Sequence, residues 1–155
     1  MRPSDGPRPP PAVLFVCAHN AVRSPMAAAL FRQYFGHLSY VGSAGVHKGE
    51  PDPFAVAVMD ELGVDMSKHR PQTFEELEDL EGLNFDLIVT LSPEAHHRAL
   101  EATRTLAVEV EYWPTQDPTA AEGNRDQRLA AYREIRDQLV DKIEERFGYR
   151  PYGMA

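Results

Sequence analysis

One cysteine, Cys17, is present in 155 residues, so the chain can form no internal disulfide and has no second thiol of its own. That usage suits a reducing cytoplasm, the expected compartment. There is no thiol cluster to hold zinc, and the adjacent His96 and His97 diverge on one predicted helix, so no metal site and no cofactor are expected. No apolar run approaches the ~20 residues of a membrane span, and the first residues lack the apolar core of a secretory signal. Basic residues are in deficit: 16 Lys and Arg against 24 Asp and Glu give a formal charge of −8. That balance argues against nucleic acid or an anionic membrane as partner. Any phosphate site must therefore be a local positive pocket in a negative field. Internal repeats are absent, and the length suits one domain with its own core.

Proline is abundant only at the start. Residues 1–11 hold Pro3, Pro7, Pro9, Pro10 and Pro11 and read as a disordered or polyproline-like tail. Residues 12–150 are expected to form a single domain in which strand and helix patterns alternate. Strands are predicted over residues 12–16, 39–43, 85–91 and 108–113. Helices are predicted over about 24–35, ended by Gly36, and 53–62, with Gly63 as the stop. A short acidic helix is predicted over 73–80, where Thr73 caps with Glu76 three positions on. Ser92 and Pro93 open a helix that runs to about Thr103. The last helix, about 124–147, repeats Leu129, Tyr132, Ile135, Leu139 and Ile143 at helical spacing. This alternation predicts an α/β fold, a three-layer sandwich on a central four-stranded parallel sheet. Ligands of such sheets bind beyond the carboxyl ends of the strands, where Cys17 and the loop after Trp113 both lie.

The segment around Cys17 carries the chemistry. An apolar strand ends at Cys17, five residues separate it from Arg23, and Ser24 and Pro25 open an amphipathic helix. A loop that runs from a strand into a helix N-terminus aims several backbone N–H groups at one point. The helix dipole adds positive potential, and Arg23 adds a planar guanidinium fork. The same surroundings favour a thiolate at the start of the loop. Cys17 is thus the candidate nucleophile for a bound tetrahedral oxyanion. Pro25 reads as the first helical residue and Ser24 as a candidate N-cap.

From Cys17 to Ala27 the chain reads C-A-H-N-A-V-R-S-P-M-A. With S-A-G-V at 43–46, the segment 53–69 and the pair Asp117-Pro118, it resembles the low-molecular-weight protein tyrosine phosphatase superfamily, which includes the thioredoxin-type arsenate reductases. The resemblance spans residues 12–147 and implies that family's fold. It implies Cys17, Arg23, Asp117 and Ser24 as the catalytic set, and Ala18, His19, Asn20, Ala21, Val22 and Arg23 as the phosphate-binding loop. By the same resemblance Cys17 attacks phosphorus, Ser24 donates its hydroxyl to the thiolate, Asp117 is the general acid, and Asn20 braces the loop in a left-handed conformation. Asn tolerates that conformation better than other non-glycine residues.

Several positions depart from the pattern. His19 replaces a loop glycine; it either touches substrate or faces solvent, and it needs an allowed backbone angle. Val22 replaces a second loop cysteine, so no protective disulfide can form and Cys17 is exposed to oxidation by peroxide. Thr119 and Ala120 follow Asp-Pro where the phosphatases carry aromatic residues, which weakens phosphotyrosine as substrate. Tyr112 and Trp113 read as strand residues of the core. His69 has a structural reading, the acidic run 75–81 reads as a solvated face, and Lys48, beside His47, is a candidate attractor of anionic substrate.

Three functions follow, in this order. The first is a cysteine-dependent phosphatase that hydrolyses phosphomonoesters, protein phosphotyrosine among them, through a thiophosphate intermediate. The alternative is a single-cysteine arsenate reductase resolved by an external thiol: glutathione, mycothiol or a glutaredoxin. The third is an oxyanion-binding regulator without turnover. The expected partners are a phosphate ester or phosphoprotein as substrate, and phosphate or arsenate as ligand.

Overall fold

The computed structural model describes residues 9–148. The expected tail therefore falls outside the described residues except at its end. There, the carbonyls of Pro10 and Pro11 accept hydrogen bonds from the Ser39 hydroxyl and the Tyr40 amide.

Four parallel strands, β1 (Ala12–Cys17), β2 (Tyr40–Gly45), β3 (Leu87–Thr90) and β4 (Glu109–Tyr112), form one sheet in the order β2-β1-β3-β4. The five helices are α1 (Arg23–Phe35), α2 (Pro53–Asp60), α3 (Phe74–Glu81), α4 (Pro93–Ala102) and α5 (Arg125–Phe147). Successive strand side chains point to opposite faces. Val13, Phe15 and Cys17 accordingly join the core beneath α1, α2 and α5, whereas Leu14 and Val16 join the core beneath α3 and α4. Both faces of the sheet are covered, and the three-layer α/β sandwich is present as expected. Full burial of Phe15, flanked by Phe31 and Trp113, contributes about 2–3 kcal/mol.

Local signals explain most boundaries. Thr73 and Glu76 form a reciprocal capping box on α3, Asn124 and Gln127 form another on α5, and Ser92 caps α4 ahead of Pro93. β2 begins and ends later than the sequence pattern suggests. Its last residue, Gly45, pairs with Cys17, and a Cβ there would lie 2.7 Å from the Asn20 amide nitrogen. Only glycine allows the strand to press against the loop that leaves β1. No helix among the described residues is long and apolar enough to cross a membrane.

Candidate functional site

The loop between β1 and α1 is fastened on its outer side by backbone bonds that continue the β1–β2 ladder. The amides of Val46, His47 and Gly49 donate to the carbonyls of Cys17, Ala18 and His19 at 3.0, 2.7 and 2.9 Å. On its inner side the loop is held by Asn20, which is fully buried with φ 54°. Its amide side chain donates to the hydroxyls of Ser24 and Ser43 at 2.9 and 3.0 Å and accepts from the Gln72 amide at 2.9 Å. Its carbonyl accepts from the His69 ring at 2.8 Å, and its own N–H donates to Cys17 Sγ. Burial, before any other influence, lowers the His69 pKa, so the ring stays neutral and serves as a donor to that carbonyl. His19 is not among the residues with positive φ, so the missing loop glycine imposes no backbone strain there.

Cys17 Sγ lies at the centre of these bonds. It receives the N–H groups of Asn20 and Ser24 at 3.3 Å each and sits 3.0 Å from the Ser24 hydroxyl. The two N–H groups donate to the sulfur; the Ser24 hydroxyl, which also has the Ala44 carbonyl within reach at 3.3 Å, becomes a third donor when the sulfur is a thiolate, which can only accept. Ser24 does not act as the N-cap. α1 starts at Arg23, its cap position is Val22, which supplies no side-chain bond, and Pro25 falls within the first turn instead of opening it. A cap without a side-chain acceptor leaves the donors of that turn to the sulfur and the cavity.

Arg23 is 8% exposed and aims its guanidinium across the cavity. One nitrogen donates to the Thr115 carbonyl at 2.9 Å and the other lies 3.8 Å from Asp117 Oδ2. Asp117 caps a single 3-10 turn, Pro118–Ala120, and its Oδ1 accepts from the Thr119 amide and hydroxyl. The cavity between them measures about 240 Å³ and is lined by Cys17, His19, Ala21, Val22 and Arg23 on the loop side. Gly49, Glu50, Asp52, Asp117 and Thr119 form its rim. Cys17, Arg23, Ser24 and Asp117 are thus brought together at the carboxyl ends of β1 and β4. Ala18 and Asn20 are not in the lining: the first pairs with β2's extension, and the second faces inward.

Other sequence expectations separate here. Lys48 is turned away, bound to Glu76 at 2.9 Å, and His47 is bound to Glu94 at 2.9 Å. Lys48 therefore does not reach the cavity as an attractor of anions. Glu76 is tied into the α3 cap as well as to Lys48, so the acidic run is only partly a free solvated face. Trp113 is buried, while Tyr112 stacks on His96 with ring centroids 4.8 Å apart.

Asp52 is the wall residue that sequence reasoning passed over. Its Oδ1 caps α2 by accepting from the amides of Phe54 and Ala55, and its Oδ2 accepts from the Tyr132 hydroxyl at 2.7 Å. Burial, then the Asp52 carboxylate, pushes the Tyr132 pKa far up, so the phenol remains a donor. The signal was there: Asp52-Pro53 repeats the Asp-Pro pattern of Asp117-Pro118, and both pairs open a helical turn at the rim.

Comparison with known proteins agrees with this geometry. The family model described as low molecular weight phosphotyrosine protein phosphatase matches residues 12–147. An arsenate reductase of Bacillus subtilis is 32% identical over 133 residues, 86% of this chain and 92% of its own length. A glutaredoxin arsenate reductase of Synechocystis is 28% identical over 85% of this chain and 92% of its own. Among solved structures, the low molecular weight protein tyrosine phosphatase of T. tengcongensis superposes with a TM-score of 0.68 at 27% identity. It covers 87% of this chain and 98% of its own.

Proposed function

The chain belongs to the low molecular weight phosphotyrosine protein phosphatase family, and from that premise we propose that it reduces arsenate at Cys17 with the help of an external thiol. The observation that carries the reading is a nucleophile cradle with a single thiol and a rim without an aromatic platform. Cys17 is the only cysteine in the chain, and Thr119 and Ala120 occupy the turn after Asp117. A small oxyanion needs no platform, whereas a phenol ring gains from one. The full-length similarity to proteins named arsenate reductase supports the same choice.

The Cys17 thiolate attacks As(V), an arsenate oxygen leaves as water after protonation, and a sulfur–arsenic bond forms. An external thiolate then attacks Cys17 Sγ. The electron pair of the sulfur–arsenic bond stays with arsenic, which leaves as arsenite, and a mixed disulfide remains. A second thiolate attacks the external sulfur of that disulfide and returns Cys17 as thiolate. Two thiols become one disulfide as As(V) becomes As(III). Arg23 and the loop amides hold the oxyanion, and the Ser24 hydroxyl stabilises Cys17 as a leaving thiolate. The need for a reduced thiol pool supports the cytoplasm as compartment.

Hydrolysis of phosphomonoesters is the second reading, favoured by Asp117. Its carboxylate lies in the cavity 3.8 Å from Arg23, within reach of a leaving-group oxygen. Water would then take the place of the external thiol.

Arsenite formation with glutathione and p-nitrophenyl phosphate hydrolysis, each run beside Cys17→Ser, separate these readings. Thiol-dependent arsenite production lost in Cys17→Ser supports reduction. Hydrolysis of the ester without thiol-dependent arsenite overturns it in favour of the phosphatase. Anion binding with neither turnover overturns both and leaves a binding protein.

A further inference from the structure

Over the Phe54 ring, in the first turns of α5, two guanidinium groups have no carboxylate partner among the described residues. Among the described residues, Arg125 and Arg128 make no ion pair and no side-chain hydrogen bond; both lie over the Phe54 ring, 5.9 and 4.6 Å from its centroid. Farther along the helix, Arg133 and Arg136 are bound to Glu61, and Arg146 to Glu111. Cations at the start of a helix oppose its dipole, so α5 itself gains nothing from them. They connect to the reaction site through a chain of packed side chains. The Phe54 ring packs 5.4 Å from Tyr132, the Tyr132 hydroxyl is on Asp52, and Asp52 lines the cavity that holds Cys17.

The charges of the rim divide into occupied and free. Asp52 is held by two amides and a phenol, and Asp117 by Thr119. Glu50 is exposed in the lining and has no partner among the described residues. Two guanidinium groups over Phe54 and one carboxylate in the cavity lining thus remain unspent. Glutathione carries the complementary set: two carboxylates and one ammonium, placed on either side of its thiol. An uncharged sugar thiol such as mycothiol offers the arginines no carboxylate to pair with.

We propose that Arg125 and Arg128, supported on Phe54, bind the carboxylates of a glutathione-class thiol and deliver its sulfur to Cys17, with Glu50 facing its ammonium. Arginine is suited to this because its fork binds carboxylates bidentately and its flat face rests on the aromatic ring. The inference rests on the reading that an external thiol resolves the Cys17 adduct, and its first test needs no arsenate.

Mixed-disulfide formation at Cys17 is followed by intact-protein mass spectrometry with two probes, glutathione disulfide and the uncharged 2-hydroxyethyl disulfide. The Arg125→Ala/Arg128→Ala double variant is expected to react about tenfold more slowly with glutathione disulfide, with its salt dependence diminished. Its rate with hydroxyethyl disulfide should stay within about twofold of the unaltered protein. The Arg125→Lys/Arg128→Lys variant should recover part of the glutathione rate. In arsenate turnover the same Ala variant should raise the KM for glutathione and leave that for arsenate unchanged. Equal effects on both probes, or none on either, overturn the proposal. Charge-selective disulfide formation without arsenate turnover by any thiol leaves the glutathione site standing and removes the reductase reading.

Discussion

Residues 17–24 and the rim at 49–52 and 117–120 face each other across one cavity, yet they are built by opposite means. On the first side, Asn20 and Ser24 are wholly enclosed, Cys17 is nearly so, and the polar atoms of Asn20 are each spent on a named partner. On the second, Glu50 and Thr119 are exposed, and Asp117 meets Arg23 at 3.8 Å, too far for a hydrogen bond. The buried side holds its donors in place before any ligand arrives, which is what stabilisation of a developing charge requires. The open side holds charges that a ligand can still claim. Changes to the loop should therefore act on chemistry in general, and changes to the rim should act on one substrate or one thiol at a time.

The largest break of that contrast is Arg23→Lys. The Lys ammonium is a point charge that cannot span two oxyanion oxygens and the Thr115 carbonyl together. Turnover should fall on the order of 10³-fold for arsenate and for aryl phosphate alike. A loss confined to one substrate would show that the loop is not a general oxyanion clamp.

Asp117→Asn tests the other side. It should lower the hydrolysis of alkyl phosphates by about 10²-fold, spare activated aryl phosphates, and leave thiol-dependent arsenite release nearly unchanged. Uniform losses across all three reactions would assign Asp117 to holding Arg23 or the Pro118–Ala120 turn, and not to proton transfer.

Asn20→Ala asks how much of the floor is scaffold. It removes the side-chain bonds to Ser24, Ser43 and Gln72 and places alanine at φ 54°. A stability loss of about 2–4 kcal/mol is expected in urea unfolding, with weaker phosphate binding. Asn20→Gly, which relieves the backbone strain, should recover only the smaller part. Complete recovery by glycine would mean that conformation, and not the hydrogen-bond network, is what Asn20 supplies.

The buried side was also the more legible one. The run from Cys17 to Arg23 is contiguous, and its residue types are dictated by local needs: a thiol at a strand end, an Asn that tolerates positive φ, a guanidinium at the first helical position. The alternation of strands and helices fixed the layers for the same reason, since each element's pattern is local. What escaped notice was assembled from distant segments. Ser43, Gln72 and His69 meet Asn20 through contacts 23 to 52 residues apart in the chain; His69 reads as structural and Ser43 belongs to the S-A-G-V motif, but nothing local names Asn20 as their partner. Asp52 escaped because an Asp-Pro pair reads as an ordinary helix opening, which it also is. Lys48 misled because its nearness in sequence to the loop says nothing about Glu76, which claims it from α3. Ser24 looked like a cap because Ser before Pro usually is one; here the helix begins a residue earlier so that the hydroxyl can turn to the sulfur.

The smallest expected effect lies away from the cavity but bears on the placement of its rim. Glu61, just past the end of α2, receives two hydrogen bonds from Arg133 to one oxygen and shares the other with Arg133 and Arg136, tying α2 to α5. The Arg133 bond, then that of Arg136, lowers the Glu61 pKa from 4.5 to about 2. A carboxylate with a depressed folded-state value binds its proton more readily when unfolded, so its contribution is present above the unfolded pKa and fades as pH falls through the folded one. Glu61→Gln should therefore cost stability at neutral pH and cost progressively less as pH falls from about 4.5 toward 2. The pair is substantially solvent-exposed, so the neutral-pH difference should remain under about 1 kcal/mol and shrink in high salt. Thermal melts of both proteins at several pH values measure it. A gap that persisted unchanged to pH 2 would mean that Glu61 acts by packing and shape, leaving the bond between α2 and α5, and with it the seat of Asp52 and Phe54, to the Tyr132 hydroxyl and Arg136.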